Sequence, residues 1–376
     1  MKNKQSKTLF VLLAFGTLCM TMLACQAVNN IDLSGAGGVS ETEAPTLPPV
    51  DTLTPSPTPE PPPPPASGHI VFVSARDGKN KIYIMNADGS GQRALTSGDS
   101  VDESPRLSPD GTRVAFTSRM GDNTDVFMVD IVSGALTRLT DNPARDSSPS
   151  WSPDGQRIAF ESFRDGNFQL YIVNADGSGL TRLTNDTDGD TNPVWSPAGT
   201  SIAFMKSSNG VNSDIYLISP DGSGITSLTT DPHPASDPVW SPDGSMIAFR
   251  SFPSQSIANI CVMKRDGSDN HCLTDSQWIN GIPAWSPDGQ WLAFLSERGG
   301  TSGIDMINVA DGSTKSLVTG APIKGDPTWS PDGFRFAYQA NAGNDMEIYE
   351  ITISTHEITQ LTQSPGFDGS PAWTSQ

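Results

Sequence analysis

The sequence is poor in basic side chains, in histidine and in cysteine, and each shortage removes a class of function. Lys and Arg number 23 against 42 Asp and Glu, leaving a formal charge of -19 at pH 7. Nucleic acid or an anionic lipid surface would be repelled by such a chain rather than steered towards it. The four histidines, His69, His233, His271 and His356, lie far apart with no pair at metal-ligand spacing. No G-x-S-x-G nucleophile elbow occurs, and the Gly-Ser-Gly pieces at Gly89, Gly177 and Gly222 read as turns. Charged residues make up only 17%. What the chain has in quantity is turn chemistry, 35 Gly and 31 Pro, the composition of many short strands and few helices.

Against this background one phrase recurs. Pro149-Ser150-Trp151-Ser152-Pro153-Asp154-Gly155, with Ile158-Ala159-Phe160 after it, has copies at 193–199, 238–244, 283–289 and 327–333. A weaker copy occupies 105–111 and a truncated one 371–373. The anchor residues Leu107, Trp151, Trp195, Trp240, Trp285, Trp329 and Trp373 are spaced 44, 44, 45, 45, 44 and 44 apart. So regular a period implies one closed array of repeats, not two or three separate domains.

In front of the array, residues 1–25 carry three lysines, an uncharged run from Thr8 to Ala24, and Met22-Leu23-Ala24-Cys25. The segment resembles a bacterial lipoprotein signal peptide, which implies that Cys25 receives lipid and anchors the chain outside the cytoplasm. An ordinary cleaved signal and an uncleaved anchor are the alternatives. Residues 26–67, ending in five consecutive prolines, read as an extended stalk that could reach ~130 Å from its anchor.

From residue 68 to 376 each unit contains four short apolar pieces bounded by Gly, Pro, Asp or Asn. In one unit they are Ser150-Trp151, then 157–162, 169–173 and 181–184, each too short for a helix and so a strand. Ser-Pro-Asp-Gly and Asn-Ala-Asp-Gly suit the tight turns between them. Second strands such as Ile202-Ala203-Phe204 are apolar on consecutive positions, so both of their faces must be covered. These features predict an all-β, seven-bladed β-propeller of four-stranded antiparallel blades. The N-terminal unit lacks a first strand and the chain ends on an isolated one, so Pro371-Ala372-Trp373 should complete the first blade and close the ring.

The words W-S-P-D-G, I-A-F, D-I-Y and L-T, as at 240–249, Asp214-Ile215-Tyr216 and Leu228-Thr229, resemble the WD40-like PD40 repeat of the TolB family over about residues 68–376. The resemblance implies a propeller that binds proteins in the cell envelope. It is a partial one. That family has six blades behind an α/β domain, so no partner-binding residue carries over.

The constellation with most chemical content is acidic. Five residues before the anchor stand Asp102, Asp146, Asp190, Ala235, Asn280, Lys324 and Asp368, and two units lacking Asp there have Asp237 or Asp326 three places before it. Repeat symmetry puts these residues in a ring at one mouth of the central channel. Such a ring could receive a basic peptide segment or hold a cation such as Ca²⁺, with Asp102, Asp146, Asp190 and Asp368 as its ligands. The alternative is that each Asp serves its own turn. Six of the eight Trp are explained by burial at the anchor, whereas Trp278 lies outside it in a loop on the face of the ring and is a candidate hot spot. Cys261 and Cys272 flank the turn 264–269 at facing positions, which predicts a disulfide in an oxidising compartment.

The reading favoured by the sequence is a monomeric, membrane-tethered, extracytoplasmic scaffold that binds protein or peptide without catalysis. A propeller enzyme of glycan lyase or hydrolase type acting at the channel mouth, and a structural envelope protein, are the alternatives.

Overall fold

The computed structural model describes residues 63–208, 212–230, 232–275 and 277–373. The signal segment, Cys25 and the stalk up to residue 62 lie outside the described residues. The rest forms seven four-stranded antiparallel sheets arranged as the blades of one propeller, and among the described residues there is no helix. Blade 1 comprises Asp368–Trp373, His69–Ser74, Lys81–Asn86 and Arg93–Ala94. Blades 2 to 7 span 101–138, 146–182, 189–227, 235–272, 284–321 and 328–360.

The C-terminal strand pairs antiparallel with the strand His69–Ser74, Ile70 facing Trp373 and Val71 facing Ala372. The ring is therefore sealed by a sheet that joins the two ends of the array, as the truncated last repeat predicts.

Each blade is buried through its second strand. Phe72, Phe116, Phe160, Phe204 and Phe249 are among the largest fully buried side chains and occupy the same place in blades 1 to 5, where blades 6 and 7 have the buried Phe294 and Tyr338. The clusters they build belong to pairs of blades: Ala115, Val126 and Met128 of blade 2 pack with Trp151, Ile158 and Phe160 of blade 3. At the seam, Ile70 and Phe72 of blade 1 meet Ala337, Ile348 and Leu361 of blade 7. A single blade has no apolar interior of its own, so its stability comes from its neighbours.

The repeated words have separate mechanical duties. In Trp-Ser-Pro-Asp-Gly, the Ser152 hydroxyl donates to Asp154 at 2.5 Å and accepts from the Arg157 amide at 2.9 Å, while Gly155 takes a φ of 65° that disfavours a side chain. In the L-T word the threonine hydroxyl accepts an amide of the third strand, as in Leu170 N to Thr184 Oγ1 at 2.9 Å and Ile348 N to Thr362 Oγ1 at 2.9 Å.

The tryptophan anchor couples blades. Trp151 Nε1 donates to Arg106 O at 2.9 Å, Trp240 to Val194 O at 3.2 Å, Trp285 to Val239 O at 3.0 Å and Trp329 to Ala284 O at 2.9 Å. In every case the acceptor is the carbonyl one residue before the anchor of the preceding blade. Trp373 instead donates to Ser67 O at 3.0 Å, and Arg335 Nη2 donates to Pro64 O, so the last residues of the stalk are held at the seam. Trp195 departs from the rule, its Nε1 being buried without a partner. Cys261 and Cys272 are direct partners across the third and fourth strands of blade 5, and their sulfurs are bonded.

Replacing Trp285 by Phe removes the inter-blade bond together with the indole's extra area, whereas Trp195→Phe removes only area and relieves an unpaired donor. Denaturant titration should find Trp285→Phe more destabilising by about 1–2 kcal/mol. Equal losses would contradict the coupling role of the indole.

Candidate functional site

The innermost strands enter the channel through a shared irregularity. Ser104, Ser148, Asn192, Asp237 and Ser370 have φ between 50° and 55°, each followed by a proline, and the register shifts there against the second strand. Proline has no amide to pair, so the bulge is where a strand can accept it. The bulge turns the third residue before the anchor towards the lumen. Ser104, Ser148, Asn192, Asp237 and Ile282, with Arg106, Ser150, Val194 and Val239, line a central cavity of about 620 Å³. A second cavity of about 530 Å³ opens among the Pro and Trp residues of the anchor turns at the opposite mouth.

The structure does bring Asp102, Asp146, Asp190 and Asp368 to equivalent positions near the other mouth, on the strand end beside the second-to-third-strand hairpins. They do not present open carboxylates. Their exposures are 1%, 0%, 0% and 0%, and each faces a protein cation. Lys81, from the preceding blade, reaches Asp102 at 3.2 Å and also donates to Ser100 Oγ at 2.8 Å. Arg164 spans both oxygens of Asp146 at 3.1 and 3.0 Å, and Arg76 meets Asp368 at 2.8 Å. Lys206 lies 3.6 Å from Asp190 and nearer to Asp186 and Asp188. Removing a carboxylate from water is costly unless it is paired, which is the physical reason these groups close on cations instead of facing the lumen.

The two Asp residues nearer the anchor are also engaged. Asp237 accepts from Arg250 Nε at 2.9 Å and Nη2 at 2.6 Å, and Asp326 accepts from the Ile282 amide of the neighbouring blade at 2.9 Å. Burial raises the Asp326 carboxyl above its ordinary value. Ala235 and Asn280 are buried at the remaining positions, and Lys324 is exposed. Among the described residues no three His, Cys, Asp or Glu side chains are placed to share a metal ion, and all four histidines are exposed.

The arginines that neutralise Asp146 and Asp368 were not singled out by the repeat pattern. Their signal is a second repeated word, Ser74-Ala75-Arg76-Asp77-Gly78 and Ser162-Phe163-Arg164-Asp165-Gly166. In both, the arginine lies over a tyrosine ring, Arg76 at 4.7 Å from Tyr83 and Arg164 at 4.5 Å from Tyr171. The tyrosine hydroxyl donates to the Asp of the same word, Asp77 or Asp165, and burial first, then that bond, pushes both phenols up to about 12.

Trp278 is 47% exposed and is followed by Ile279 at 38%. The segment is fixed from below, the Ala258 amide donating to Trp278 O at 3.2 Å. Beside it Thr274, Asp275, Phe294, Glu297 and Arg298 line a cleft of about 240 Å³. Met120 at 63% and Phe163 at 44% lie in or beside hairpins on the same side of the ring.

Burial raises the Asp190 carboxyl from 3.8 to about 6, outweighing the pull of Thr184 and Lys206 in the other direction. The folded protein thus holds this proton more tightly than the unfolded chain. The resulting stabilisation is complete below about pH 4 and is lost as pH rises towards 6. Asp190→Asn, which leaves Lys206 with Asp186 and Asp188, should reduce the fall in melting temperature across that window. An unchanged slope in differential scanning calorimetry would contradict the assignment.

The family model described as the TolB beta propeller domain, PD40, matches residues 65–256, 233–323 and 253–376. Among solved structures, TolB from Acinetobacter baumannii is similar at 20% identity with a TM-score of 0.56, covering 82% of this chain and 66% of its own. An oligogalacturonate lyase in complex with manganese is similar at 16% identity with a TM-score of 0.66, covering 76% of this chain and 86% of its own. A puromycin-hydrolyzing peptidase from Mycobacterium tuberculosis gives 14% identity and a TM-score of 0.61, covering 80% of this chain and 53% of its own. At these identities the likeness is one of fold. The chain spans less than two thirds of the TolB structure and about half of the peptidase. No curated protein matches it.

Proposed function

The chain belongs to the TolB β-propeller family, and from that premise we propose that it is an extracytoplasmic, membrane-tethered binding module that captures a protein partner without catalysis. The observation that carries the reading is Trp278, an indole 47% exposed on a backbone fixed by the sheet beneath it. Large aromatics held in this way are the usual anchors of protein interfaces, because they bury much area at little entropic cost. The cleft beside Trp278 adds Arg298, Glu297 and Asp275 as a polar rim.

Two features support this location. The sequence 1–25 has the form of a lipoprotein signal with Cys25 as the lipidated residue, and the bonded Cys261 and Cys272 suit an oxidising compartment. A partner with a basic segment fits the net charge of -19. Its contacts would be exposed acids such as Asp122, Asp275 and Glu297, because the ring acids already have cations. For the same reason Ca²⁺ has no part in this reading.

A lyase or peptidase role has support only from neighbours of the same fold, and the four exposed histidines lie in separate units. Photocrosslinking from position 278 in intact cells, followed by mass spectrometry, should recover one predominant protein, and Trp278→Ala should weaken capture of that protein at least tenfold. Undiminished capture by Trp278→Ala, or turnover of oligosaccharide or peptide by the purified chain, would contradict the proposal.

A further inference from the structure

The residue immediately before the anchor lines the central cavity in blades 2 to 5, and across the seven blades this position carries a charge once. The residues are Arg106, Ser150, Val194, Val239, Ala284, Thr328 and Ala372. Six are small and uncharged, which keeps the lumen open, and one is an arginine.

The geometry points to a carboxylate-binding site inside the channel, with the Arg106 guanidinium as its cation and the lumen of about 620 Å³ as its container. The volume lies within the range of ordinary small-ligand sites. The Ser104 hydroxyl and the Asn192 amide nitrogen line the same cavity and can add hydrogen bonds to a carboxylate, while Ser148 donates to Asn192 Oδ1 at 3.3 Å.

Charge accounting supports the assignment. The Arg106 side chain makes one hydrogen bond, Nη1 to the adjacent Pro105 O at 3.1 Å, and among the described residues it has no acidic partner. The other charged residue lining the cavity, Asp237, already has Arg250 on it. The lumen therefore carries an uncompensated positive charge inside a strongly acidic protein. Water reaches the guanidinium, yet surrounding protein desolvates it enough to lower its pKa from the ordinary value. Guanidinium and carboxylate match in a two-bond fork, and such pairs gain strength where water is scarce. This site is distinct from the Trp278 surface, so either can fail without the other.

Two sources offer a carboxylate small enough to enter, the C-terminus of a peptide and a small organic acid. The folded protein would be titrated calorimetrically with acetyl-tetraalanine bearing a free C-terminus, with the same peptide as its C-terminal amide, and with succinate. Binding of the free-acid peptide and not the amide assigns the site to chain termini; binding of succinate alone assigns it to small acids. In either case Arg106→Gln should weaken the interaction about tenfold or more, with Arg106→Lys in between and the circular dichroism melting curve preserved. Equal heats for acid and amide with no response to succinate would overturn the proposal. Carboxylate binding that persists unchanged in Arg106→Gln would do the same.

Discussion

Everything in this molecule depends on each blade being covered by the next. A four-stranded sheet with consecutive apolar residues on its second strand cannot exist alone in water, because both faces need a partner. The hydrophobic clusters accordingly belong to pairs of blades, and the indole bonds from one anchor to the carbonyl of the preceding blade run around the ring in the same sense. Coverage of this kind has no natural end. It becomes self-consistent only when the last strand returns to the first sheet, which is what Asp368–Trp373 does beside His69–Ser74.

The same constraint explains why the acidic positions near one channel mouth are met by cations. Closing the ring buries the start of the innermost strand, and a carboxylate there must find a cation or give up its charge. Blades 1 and 3 solve this with an arginine from their own hairpin, blade 2 with a lysine from its neighbour, and blade 4 with a lysine on its second strand that is shared among three acids. Asp190 is the least well served of these, and its raised pKa is the result. The charge available to a partner therefore lies on exposed acids, while the lumen holds an arginine that no acid among the described residues answers.

The repeat architecture was legible because its words are periodic. Anchor spacing predicts the blade number, the truncated final copy predicts the closing strand, and symmetry about the turn 264–269 places Cys261 opposite Cys272. The chemistry of the ring was less legible because the cations come from different elements in different blades, so no single spacing reveals them. Only Ser-x-Arg-Asp-Gly recurs, and only at Ser74 and Ser162. The position of Asp237 was visible but its geometry was not, since the bulge that turns it towards the lumen arises from proline's missing amide and a left-handed residue before it. Arg106 was hidden by its surroundings in the weakest copy of the repeat, where Leu107 replaces the tryptophan.

The central claim is that inter-blade coverage, sealed by the terminal strand, is the source of stability. It is tested most directly by ending the chain at residue 367 and following thermal unfolding beside the full-length protein. The account predicts that removing Asp368–Trp373 exposes the edge strand of blade 1, strips Arg76 of its acid, and lowers the melting temperature sharply with aggregation. A truncated protein that stays monomeric and melts at the same temperature would contradict it.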